Sequence, residues 1–166
     1  MTAPPAGRDT LRVLFLCTGN SARSQIAEAL LNRRSAGRFL AESAGSRPAA
    51  RVNPWAIRVL KEAGIDWAGH APRSVDDLSN EAWDIVITVC DKAKESCPIF
   101  PGQPVLAHWG MNDPAEVEGG EEAKLRAFRD AYALISRRLD LMLALPFEKL
   151  ERMALEKRIR KIGETR

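Results

Sequence analysis

Three cysteines, two histidines and one tyrosine are all that this chain of 166 residues holds of those types. An odd set of three thiols excludes a disulfide scaffold. No Cys/His spacing of the metal-binding kind surrounds His70 or His108, so both read as structural and no metal is expected. No apolar run is long enough to cross a bilayer. The opening, Met1 to Thr10, lacks the apolar stretch of a secretory signal. The expectation is a disordered lead over 1–10 and a cytoplasmic protein whose thiols stay reduced. Internal repeats and low-complexity segments are missing too, which excludes a repeat architecture. The body also lacks charge of one sign: residues 1–147 hold 18 Lys/Arg and 18 Asp/Glu, so the net charge of +3 comes from residues 148–166. Nothing in that body forms a nucleic-acid footprint, and neither nucleic acid nor membrane is an expected partner. The tail reads as a basic amphipathic helix with one solvated face, expected to pack against the body, with a dimer or partner contact as the alternative.

What is present is an ordinary globular balance, 45% hydrophobic and 28% charged, in a length that suits one domain. Apolar runs over 11–16, 39–44, 84–89 and 104–109 predict strands. Helical patterns fall over 25–34, 54–63, 121–145 and, beyond Pro146, the tail; residues 75–82 suggest a shorter helix. Asn53 caps the second helix, Pro54 suits its first turn and Gly64 ends it. Strands alternating with helices predict an α/β fold: a four-stranded parallel sheet flanked by helices on both faces, with a C-terminal helical extension. The domain plan is a lead over 1–10, a catalytic body over 11–146 and a helical tail over 147–166. Ligands of such sheets sit at the carboxyl ends of the strands. Cys17 and Cys90 end two of those strands, so both open onto that edge.

The stretch Cys17-Thr18-Gly19-Asn20-Ser21-Ala22-Arg23-Ser24 joins the first strand to the first helix. Gly19 and Asn20 tolerate left-handed backbone angles, which lets the loop curl its N–H groups inward as an anion nest. The helix N-terminus adds its dipole, and Arg23 offers a fork for two oxyanion oxygens. Thr18 through Ser24 are thus the candidate oxyanion-binding residues. The same positive field is expected to lower the Cys17 pKa and make it a thiolate nucleophile, with Ser24 as a hydrogen-bond partner.

The run Cys17 to Glu28 resembles the signature loop of low-molecular-weight protein tyrosine phosphatases. It is still more similar to the arsenate reductases built on that fold, over about residues 11–145. The resemblance implies that Cys17 is the nucleophile and that Arg23 holds the oxyanion. Both families use an Asp-Pro aspartate as general acid, and the matching position is Asp113, in Asn112-Asp113-Pro114. By itself that tripeptide is a turn signal. A carboxylic acid above the loop is what the expulsion of a poor leaving group needs.

Cys90 and Cys97 separate the two families. Their segment, Cys90 to Pro98, is similar to the redox segment of the thioredoxin-coupled arsenate reductases. That similarity implies a Cys17 arseno-adduct, a Cys17–Cys90 disulfide and a Cys90–Cys97 disulfide in turn, reduced by an external thiol. Thioredoxin suits the cysteine pair best, with a glutathione or glutaredoxin route as the alternative; no cofactor is bound. A helix over all of 90–97 would hold the two Cα atoms about 10 Å apart, beyond disulfide reach, so oxidation must unwind it. One alternative is a phosphatase that hydrolyses phosphotyrosine through a Cys17 phosphocysteine. Another is a non-enzymatic oxyanion sensor. Some relatives hold a potassium ion beside the loop; Asn20, Ser24, Glu28 and Ser43 match its surroundings, but Arg73 stands where an acidic ligand belongs. Trp55, Trp83 and Trp109 read as core.

Overall fold

The computed structural model describes residues 10–149 and 152–165. The expected lead, apart from Thr10, lies outside them. Four parallel strands form one sheet in the order β2-β1-β3-β4: β1 is Leu11–Cys17, β2 Phe39–Gly45, β3 Ile85–Thr88 and β4 Val105–His108. Val13 through Cys17 are all buried, as is all of β3, so these central strands are covered on both faces. Apolar burial on that scale is what makes these short runs strands. Leu14 pairs with Glu42 on one side and Val86 on the other, which brings the ends of β1 and β3 level. The chain leaves β1 in opposite directions to reach β2 and β3, so a switch point opens between Cys17 and Cys90.

The helices are α1 (Arg23–Arg34), α2 (Pro54–Glu62), α3 (Asp91–Glu95), α4 (Glu121–Leu143) and α5 (Arg152–Ile162). Asn53 caps α2 as expected, accepting from Trp55 N at 2.8 Å. Trp83 and Trp109 lie in the core, and Trp55 packs against it half-buried. The helix expected over 75–82 is only a 3-10 turn, Val75–Asp77. Ser79 Oγ donates to Asp76 O at 3.4 Å, a local competitor of the helical bonds. Helix α3 does not run from Cys90 to Cys97: Cys90 is its N-cap and Ser96 its C-cap.

The tail packs against the body, as expected. Ile159 and Ile162 are buried, and α5 lies along β4. Glu156 accepts from Leu106 N at 3.3 Å, and Arg160 Nε donates to Leu106 O at 2.9 Å. Two side chains one turn apart therefore take the place of a neighbouring strand on this sheet edge. Among the described residues no helix is long and apolar enough to cross a membrane.

Candidate active site

The loop after β1 is shaped by where its carbonyls go. Those of Cys17, Thr18, Gly19 and Ser21 accept from the N–H groups of Ser46, Arg47, Ala49 and Asn53 at 2.8–3.3 Å. In a trans peptide the next N–H points the opposite way. The amides of Thr18, Gly19, Asn20 and Ala22 are thereby aimed to the other side, and Asn20 N is found 3.0 Å from Cys17 Sγ. Such convergent amides form an anion nest, backed by the N-terminus of α1. Gly45 permits this closeness: a Cβ there would run into the Thr18 carbonyl.

Asn20 holds the loop from within. It is fully buried with φ of 53°, the left-handed region expected from the sequence. Its Nδ2 donates to Ser24 Oγ at 2.7 Å and Ser43 Oγ at 2.9 Å. Its Oδ1 accepts from Arg73 N at 2.9 Å and from Gln25 Nε2 at 3.1 Å. Trp67 Nε1 fixes Gln25 in turn, at 2.8 Å. Ser43 passes the chain on to Glu28 Oε1 at 2.6 Å, and the Arg73 guanidinium lies 3.7 Å from that carboxylate. Burial pushes the Glu28 pKa up, against the pull of Ser43 and Arg73. Arg73 also pairs with Glu42 at 2.8 Å. The Arg73 guanidinium thus pairs with two carboxylates, while its backbone N–H holds Asn20. Among the described residues no group of three or more His, Cys, Asp or Glu could hold a metal ion.

Cys17 Sγ lies 2.8 Å from Ser24 Oγ, so Ser24 serves the sulfur rather than capping α1; Ala22 holds the N-cap position without a side-chain bond. The expected depression of the Cys17 pKa is not found. Burial pushes it up, and Ser24, the Asn20 amide and Arg23 pull the other way without offsetting that. The sequence shows the donors around the sulfur but not how completely the fold removes water from it.

A cleft of about 820 Å³ opens above the sulfur. Arg23 and Asp113 face each other there, Nη2 to Oδ2, at 3.6 Å. Arg23 Nη1 donates to Met111 O at 2.9 Å, which ties the loop after β4 down over the nest. Asp113 also caps the 3-10 turn Pro114–Glu116, accepting from Ala115 N at 2.9 Å. It is a turn residue and a cleft residue at once. Cys90 reaches the same cleft, with its Sγ 3.3 Å from Thr18 Oγ1. Its sulfur also accepts from Ala93 N at 3.4 Å, so a thiol caps α3. Cys97 is half-buried, away from this cleft, in a second hollow of about 520 Å³ with Lys94, His108 and Arg160. Burial raises its pKa as well.

His108 and His70 have structural partners. His108 bridges Thr88 Oγ1 at 2.7 Å and Asp91 Oδ1 at 3.0 Å, and His70 stacks on Trp67 at 3.5 Å. Sequence reasoning missed Arg138, the bond between Thr18 and Cys90, and the roles of Gly45 and Gln25. Arg138 alone had a visible signal, a cation within the apolar stripe of Ile135, Leu139 and Met142.

A thiol under an anion nest, with a cation and a carboxyl above it, is a site for displacement at a tetrahedral oxyanion. The chain belongs to the Low molecular weight phosphotyrosine protein phosphatase family, whose sequence profile matches residues 12–158. Within that class it is 39% identical to a protein of Bacillus subtilis named arsenate reductase, over 76% of this chain and 91% of the relative. The crystal structure of an arsenate reductase from Archaeoglobus fulgidus superposes with a TM-score of 0.65 at 34% identity, covering 80% of this chain and 99% of that one. A thioredoxin-dependent arsenate reductase from Corynebacterium glutamicum gives a TM-score of 0.62 at 30% identity, covering 81% of this chain and 60% of that one.

Proposed function

We propose that the protein is an arsenate reductase that turns arsenate into arsenite at the expense of an external dithiol. The observation that carries this is Cys90: a second thiol within 3.3 Å of the nucleophile loop, at the same cleft, that hydrolysis does not need. The relatives named arsenate reductase support it.

In this reading arsenate enters the nest and its oxygens take the Arg23 fork and the loop amides. Cys17 attacks as the thiolate, and any proton it holds passes to an oxygen of the entering oxyanion. The thiolate then attacks arsenic, an As–O bond breaks, and Asp113 protonates the departing oxygen. Cys90 next attacks the Cys17 sulfur. A Cys17–Cys90 bond forms, and the electron pair of the S–As bond goes to arsenic, which leaves as arsenite. Cys97 attacks Cys90, a Cys90–Cys97 disulfide forms, and Cys17 is released as a thiolate. A dithiol protein of the thioredoxin kind then restores both thiols by exchange; a glutaredoxin-like protein is the alternative. Such chemistry requires a reducing compartment, in keeping with the cytoplasm.

Withdrawing the Cys90 sulfur removes the cap of α3, a helix of five residues. The motion that oxidises Cys17 therefore loosens the turn that must open for Cys97 to reach Cys90. The phosphatase reading has its own support in the family description. Against it, no described residue lining the cleft is aromatic, and Trp109 is turned into the core. The test is arsenate-dependent oxidation of reduced thioredoxin by Cys90→Ser and Cys97→Ser variants, beside phosphatase assays. Both variants should lose reduction. Mass mapping of the parent chain after turnover should show Cys90–Cys97 linked. Reduction that persists without Cys90 overturns the scheme.

A further inference from the structure

The last helix and the loop carrying Asp113 are joined through one buried cation. Arg138 is 1% exposed, on the apolar stripe of α4. Its Nη1 donates to the carbonyls of Trp109 at 2.9 Å and Gly110 at 3.2 Å, where the loop begins. Its Nη2 donates to Gly163 O at 3.2 Å and Thr165 O at 3.1 Å, just past α5, and its Nε reaches Thr165 O at 3.3 Å. Trp109 Nε1 donates to Ile159 O, within α5, at 3.0 Å. At Gly163 the chain passes so close to β4 that a Cβ would meet the His108 carbonyl. A planar guanidinium spread over carbonyls of two segments fixes both, because each donor has one direction. A buried charge persists only when it is satisfied in this way.

We infer that Arg138 and the end of α5 form a positioning element for Asp113, so that the C-terminal extension belongs to the working site. The inference rests on the reading of Asp113 as the acid. Arg23 holds the loop at Met111, on the side of the nest. Arg138 holds it at Trp109 and Gly110, on the side of the core. With Trp109, Gly110 and Met111 all held, only Asn112 separates the anchored stretch from Asp113. Arg138 touches no reacting atom; it acts through the loop. A misplacement of about 1 Å at such a group costs about a hundredfold in rate.

The experiment compares Arg138→Met, Asp113→Asn and the double variant in the full chain, with arsenate as substrate and dithiothreitol as reductant. Alkylation of Cys17 by iodoacetamide, and its protection by arsenate, report on the nest independently. Arg138→Met should lower kcat by about 10- to 100-fold with the KM for arsenate little changed. Alkylation and protection should stay within about twofold of the parent. In the Asp113→Asn background, Arg138→Met should cost less than about twofold more, because the group it positions is already gone. A full additional loss in the double variant, or lost arsenate protection in Arg138→Met, overturns the inference alone. An unchanged kcat in Asp113→Asn overturns the acid assignment, and the inference falls with it. Trp109→Phe is the milder second variant should Arg138→Met not fold. It keeps an aromatic ring in the core, at the cost of some packing volume, and removes the bond to Ile159. The same non-additivity with Asp113→Asn is expected, and additivity counts against the inference.

Discussion

Cys17 and Cys90 end neighbouring strands and both are buried, yet one is set in a braced loop and the other caps a short helix. Cys17 is 3% exposed, held by Ser24 and the Asn20 amide, in a loop whose carbonyls are bound on the far side. Cys90 caps a helix of five residues in which Ala93 alone is buried. Cys97, just past that helix, has its own Pro98 carbonyl as a sulfur contact, at 3.6 Å. A nucleophile must keep its aim through every turnover, and a disulfide shuttle must move to work at all. The difference between the two regions is the division of labour that the proposed chemistry demands.

The comparison breaks most severely at Asn20. Asn20→Ala puts alanine in a left-handed conformation, which costs about 1 kcal/mol. It also leaves the Arg73 N–H without its acceptor and removes one bond each from Ser24, Ser43 and Gln25, at about 1–3 kcal/mol for a buried group left unpaired. Denaturant unfolding should show a loss of about 3 kcal/mol. Arsenate turnover should fall by about a hundred- to a thousandfold, as when a preorganised donor set is lost. Near-parental turnover would mean that the loop holds its shape without its internal brace.

The contrast itself can be measured by amide hydrogen exchange. Lys94 N and Ser96 N bond within one isolated turn, whereas Ile26 lies in the stretch of α1 that is buried from Ser24 to Leu31. The α3 amides should exchange at least about a hundredfold faster than those of Ile26 and Leu30, since short exposed turns open locally without global unfolding. Equal protection would refute the mobile shuttle.

The rigid half was far more legible in the sequence than the mobile half. Buried β-branched runs announce strands, and Cys17 to Ser24 announces an anion nest, because those patterns have one physical use in that place. The end of the 75–82 segment was not legible, since local competition from Ser79 outweighed its helical pattern. Nor was the Cys17 pKa: the sequence lists the donors near a sulfur but does not weigh them against burial. That the tail packs was legible but its seat on β4 was not, because Glu156 and Arg160 look like any surface pair until β4 is found beside them. Arg138 was the one clue left unused.

A smaller break is expected at Arg73, which is 38% exposed beside the buried Glu28. Arg73→Ala should push the raised Glu28 pKa higher still, since burial is its main cause and Arg73 opposes it. A carboxyl whose folded pKa lies above its unfolded one favours folding fully below the unfolded value and loses that contribution as pH rises. Glu42, which also loses a partner, acts in the same direction. The variant's deficit should thus be small near pH 4 and grow to about 1 kcal/mol above neutrality, after discounting for solvent around Arg73. Urea unfolding at several pH values reads this directly. A deficit independent of pH would mean that Arg73 acts by packing alone.

The mildest change sharpens the mobile side. Asp91 is 89% exposed and meets His108 at 3.0 Å, which pins the first residue of α3 to the end of β4. An acid in the first turn also suits the helix dipole. Asp91→Ala removes both supports without touching a sulfur. Exposed pairs of this kind are worth little, so α3 exchange should quicken by only about two- to fivefold. Formation of the Cys90–Cys97 disulfide should speed up by a similar factor if opening of α3 limits it. Faster exchange with no faster disulfide formation would separate the two, and would place the slow step at sulfur attack rather than at the turn that carries it.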